Sequence, residues 1–88
     1  MKINYEFVKR EIAGEFFLVP IGEAAKVFDG IIAINELGAF IFDCVPECAD
    51  AEAVTDRILE RYDTDRETAL QDVRAFFDAL RAAGIDVE

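Results

Sequence analysis

The groups in this chain that could do chemistry are few in kind. Carboxylates dominate: nineteen Asp and Glu stand against nine Lys and Arg, a formal net charge of −10 at pH 7. Histidine, tryptophan and serine do not occur in the sequence. The commonest general base, the commonest neutral metal ligand and the serine nucleophile are therefore all missing. Cys44 and Cys48 are the only thiols. Their C-x3-C spacing, without two further Cys or His, is a weak zinc signal. Read structurally, Cys44 is a small buried hydrophobe on a helix and Cys48 lies in the loop after it. Redox or metal chemistry is the alternative. Asp63-Thr64-Asp65 opens like a calcium loop, but the glycine and the twelfth-position Glu do not follow at the required spacing. The same residues fit a helix cap. No glycine-rich phosphate loop is present, and acid pairs in so acidic a chain read as solvated faces. These residues point away from catalysis, and no cofactor or metal is expected.

Charge also bounds the partners. Phosphate backbones are bound through Lys and Arg, in which the chain is poor. Nucleic acid and anionic membranes are thus not the expected partners, and the acidity favours solubility or a partner of basic character. No apolar run approaches the roughly 20 residues that cross a bilayer. "MKINYEFVKRE" lacks a signal-peptide core, so the expected compartment is the cytoplasm. Eighty-eight residues make one domain, which buries about 60–65% of its unfolded surface.

The elements that must position any site follow from the patterning. The first third reads as β. Strands are predicted at about 7–12 and 15–20, joined at Ala13-Gly14 by a tight hairpin. Pro20 marks a strand end or edge. Gly22–Lys26 reads as a connection. After a turn at Asp29-Gly30, a third strand is expected at about 30–34.

Three helices follow, at about 36–45, 51–62 and 65–83. Asn35 is the expected N-cap of the first. Its Leu37, Phe40, Ile41, Cys44 and Val45 form one apolar stripe, and Pro46 stops it. Asp50 caps the second. Thr64 with Glu67 fits a capping box at the third. Gly84 sits where a left-handed residue is wanted, with Ile85 placed to touch Leu80. The order is α+β: a small three-stranded antiparallel sheet followed by a three-helix bundle.

The last helix is apolar on more than one side. Leu70, Val73, Phe77 and Leu80 make a core face. Ala69, Asp72, Phe76, Ala79 and Ala83 make a second, which is either more core or the wall of a groove.

Three segments carry a family resemblance: "REIAGEFFLVPIG" at Arg10–Gly22, "GIIAINELGAFIFDCV" at Gly30–Val45 and "DVRAFFDALRAAGI" at Asp72–Ile85. With them, nearly the whole chain resembles the PqqD-like family, the small domains also called RiPP recognition elements. Family members often carry Trp where this chain has Phe42. The resemblance implies a winged-helix-like, non-catalytic domain. It implies binding of the leader of a ribosomally made precursor peptide, held as an added strand along the third strand and presented to a modifying enzyme, often a radical SAM enzyme. Strand addition agrees with the residues: main-chain bonds give affinity, and pockets for alternate side chains give specificity. The candidate peptide-binding positions are Ile31, Ile32, Ala33 and Ile34 on the strand and Ala69, Asp72, Val73, Phe76 and Ala79 on the last helix.

Two rival readings use the same elements. A winged-helix DNA-binding module is opposed by the last helix, where Arg66, Arg74 and Arg81 face Asp65, Glu67, Asp72, Asp78 and nearby Glu88. In the other, the open strand edge pairs with a second copy to form a homodimer.

Overall fold

A computed structural model describes residues 1–88. The hairpin forms where alternation and turn chemistry place it. β1 (Phe7–Ile12) pairs antiparallel with β2 (Glu15–Pro20), Ile12 opposite Glu15 and Val8 opposite Val19. Ala13 and Gly14 have φ of 53° and 83°. Two successive positive φ values suit a type I′ turn, whose twist matches that of the strands. β3 (Ile32–Ile34) joins β2 on its other side, giving the order β1-β2-β3. It is shorter than expected: Ile31 precedes it and is 55% exposed.

Between β2 and β3 the chain makes a short helix, α1 (Glu23–Val27), where a plain connection was expected. Gly22 enters it at φ 59° and supplies no side-chain cap. Ala24 packs fully buried beneath the sheet, and that burial holds a helix too short to stand alone.

α2 (Glu36–Cys44) starts at Asn35, whose side chain accepts from the Gly38 N–H at 2.7 Å. A 3-10 turn over Val45–Glu47, with Pro46 in it, ends the helix. α3 (Ala51–Arg61) is capped by Asp50. α4 (Arg66–Ala82) is capped by Asp65, which accepts from the Thr68 N–H at 2.8 Å. The expected Thr64 cap lies one residue too early. At the other end Gly84 takes φ 90°. The Ile85 N–H reaches the Leu80 carbonyl and the Gly84 N–H the Arg81 carbonyl, both at 2.9 Å. That pair of bonds is the Schellman pattern, and it turns Ile85 into the core against Leu80.

Two apolar clusters hold these elements. One lies among the helices, built from Ile41, Cys44, Val45, Cys48, Val54, Ile58, Ala69, Val73 and Phe77. The other lies under the sheet: Phe7, Leu18, Ala24, Leu80 and Ile85. α4 contributes to both. Thr55, the buried polar residue, donates to the Ala51 carbonyl at 2.8 Å. Lys9 on β1 pairs with Asp43 on α2, tying sheet to helix. The two ends of the chain pair as well, with Ile3 bridging Val87. No helix is long and apolar enough to cross a membrane.

Candidate functional site

The site starts from how three strands share their hydrogen bonds. In an antiparallel ladder, successive residues turn their backbone groups to opposite edges. The two-residue hairpin makes Ile12 and Glu15 a hydrogen-bonded pair, so Phe17 and Val19 also bond toward β1. Phe16 and Leu18 are left to bond toward β3, where their partners are Ile34 and Ile32. Ala33 between them therefore turns its N–H and C=O away from the sheet. β3 is an edge strand, and Ala33 makes no backbone hydrogen bond to any segment outside the sheet.

Side chains alternate too. Ile32 and Ile34 share the face of Leu18, the face that packs on the core beneath the sheet. They are half-buried, while Ile31 and Ala33 stand exposed on the other face. The apolarity of Ile31–Ile34 thus serves two sheet faces, and only the inner one meets α4.

Beside the open edge lies a cavity of about 500 Å3. Ile32, Ala33, Ile34 and Asn35 form one wall. Asp72, Ala75, Phe76 and Ala79 of α4 and Ala83 at its C-cap form the other. Leu37, Gly38, Ile41 and Leu80 complete it. A second cavity of about 350 Å3 continues from Ala33–Asn35 around the hairpin end, past Gly14, Phe16 and Phe17.

Six of the nine positions singled out in the sequence meet here: Ile32, Ala33, Ile34, Asp72, Phe76 and Ala79. Ile31 lies outside the cavity. Ala69 and Val73 are fully buried and belong to the helical core, so neither has surface to offer a ligand. The other lining residues, Asn35, Leu37, Gly38, Ile41, Ala75, Leu80 and Ala83, were not among those positions. Ala83 was visible on the second helical face, and Gly38 in the Asn35-x-x-Gly38 cap.

Phe76 is both core and groove. It is half-buried and packs against both clusters, with its ring 6.4 Å from that of Phe77. Gly38 makes room for it. A Cβ on Gly38 would stand 2.9 Å from Phe76 Cε1 and 3.0 Å from Asn35 Oδ1, closer than packed atoms approach. α2 and α4 meet at that glycine, and the aromatic ring forms the cavity floor above it.

The cavity is apolar with few polar groups. Asp72 is the one charged residue lining it. Asn35 spends its carbonyl oxygen on the cap and keeps its amide N–H groups. Cys44 and Cys48 lie away from it, buried in the helical core. Burial, then the neighbouring Cys48, pushes the Cys44 thiol above its ordinary pKa, which keeps it protonated and unreactive at neutral pH.

The family model described as Coenzyme PQQ synthesis protein D (PqqD) matches residues 16–85. A comparison with curated proteins finds no match. Among solved structures, "TbiB1 in Complex with the TbiA(beta) Leader Peptide" is similar with a TM-score of 0.70 and 26% sequence identity. The likeness covers 96% of this chain and 92% of that one.

Proposed function

The chain belongs to the PqqD family, and on that premise we propose that it is a non-catalytic domain that captures the leader of a ribosomally made precursor peptide. The leader adds as a strand along β3 and drops alternate side chains into the cavity against α4. The domain then presents it to a modifying enzyme, of the radical SAM type in the PqqD setting. Ile32, Ala33, Ile34, Asp72, Phe76 and Ala79 are the contacts.

The observation that carries this reading is the unpaired edge at Ala33 beside an apolar cavity. An edge alone is a hazard. An edge with an adjoining apolar groove is a receptor, because a guest strand satisfies its backbone on one side and buries side chains on the other. The similar TbiB1 structure, described with a leader peptide, supports the same use.

Ala33→Pro tests it. Proline removes the one outward N–H without touching a ladder bond to β2, and edge strands tolerate it. Fluorescence anisotropy with synthetic leaders from precursors encoded beside this chain's gene should show affinity falling about ten-fold or more, the loss of roughly 1.4 kcal/mol. Far-UV circular dichroism should be unchanged. Equal affinity in a folded Ala33→Pro variant refutes strand addition.

The same edge also supports a second reading, self-pairing of two copies into a homodimer.

A further inference from the structure

We infer that Asp72 sets the specificity of the groove, selecting extended peptides with a Lys or Arg two residues from the nearest apolar anchor. The inference rests on the peptide-binding reading above and adds the chemical class of the guest.

Asp72 has no partner in the folded chain. The ion pairs go elsewhere: Lys9 to Asp43, Lys26 to Glu23, Arg57 to Glu47, Arg66 to Glu52 and Asp56, Arg81 to Asp78. On a helix, only residues three and four away face a side chain. For Asp72 these are Thr68, Ala69, Ala75 and Phe76, none of them cationic. Arg74, two residues on, projects from another side of the helix. Asp72 therefore offers a free carboxylate to whatever enters the cavity, whose other lining residues carry no charge; Glu15 and Glu36 stand further along, in the second cavity. A net charge of −10 on the chain adds to the preference for a basic guest.

The spacing of the guest follows from that of the wall. Asp72, then Ala75 and Phe76, then Ala79, then the C-cap Ala83 mark successive turns along α4. One turn rises about 5.4 Å, close to the about 6.7 Å between same-face side chains on a strand. Each alanine leaves room for a large guest residue, so a guest strand running along α4 places about one inward side chain per turn. A basic residue beside Asp72 then has its apolar neighbour two positions away.

Selection from a displayed library of random twelve-residue peptides tests this, using the whole chain as bait. The wild type should enrich Lys or Arg at one fixed position, two from an apolar residue. Asp72→Lys, a change at an exposed site, should enrich Asp or Glu there. Synthesised winners should lose roughly two- to five-fold in affinity for Asp72→Asn, with a weaker salt dependence. Enriched peptides with no charge preference, or with one that Asp72→Lys leaves alone, overturn the inference while sparing the peptide-binding reading. Failure to enrich any peptide that Ala33→Pro then rejects overturns both.

Discussion

Single residues decide where each element begins, and their protonation can be read out. The Thr68 N–H holds the Asp65 carboxyl below its ordinary value of 3.8. A depressed folded value means that the cap's contribution is fully present above the ordinary carboxylate range. It is lost as pH falls through the folded value. Asp65→Asn keeps a side-chain acceptor at every pH. In urea titrations, the stability gap between wild type and variant should be flat above about pH 5. Below about pH 4 it should move in the variant's favour. Caps at this scale were legible. Asn35 and Asp50 follow from residue type, because a short oxygen-bearing side chain before an apolar stripe has few other uses. Thr64 and Asp65 both qualify as caps, and only the backbone path chooses between them.

At the scale of elements, the seam between α2 and α4 governs the groove. Gly38 admits Phe76 at a distance no Cβ allows. Gly38→Ala gains about 1 kcal/mol of helix propensity and disturbs an Asn35 cap of similar worth; displacing Phe76 from its packing on both cores costs about 1–3 kcal/mol more, so the melting temperature should fall. The Phe76 ring must swing toward the cavity, and leader affinity should fall about ten-fold or more, as for loss of a central aromatic contact. Unchanged affinity would show that Phe76 lies outside the peptide's path. Helical period identified the face of α4 but not which part of it is covered. Ala69 and Ala79 read as one stripe. α3 and α2 bury the first, while beyond Phe76 the facing element is β3, whose edge stands clear. Pattern within one helix carries no record of where its neighbours end. α1 escaped notice for a related reason: five residues give too little period, and burial of Ala24 decides them.

For the whole molecule, charge opposes the homodimer that the β3 edge would otherwise invite. Two copies at −10 each repel strongly at low ionic strength. A three-residue edge offers few bonds in return. Sedimentation of the peptide-free chain at low salt should give a mass of 9.8 kDa. A dimer there, abolished by Ala33→Pro, would favour self-pairing over leader capture. Fold class was plain from the sequence, because alternation and the 3.6-residue period separate the β third from the α remainder. Groove and core were not separable, since both are apolar.

α4 supplies residues to both cores, and the cavity lies along its length between β3 and the helices. Such a helix leaves no hinge. Neither half can loosen without exposing the other, so the two cores form one cooperative unit. On the strand-addition proposal, a guest would have no gate to wait for. It would enter and leave sideways, over the open edge of the sheet, with a residence time set by the bonds it makes there rather than by any opening of the protein.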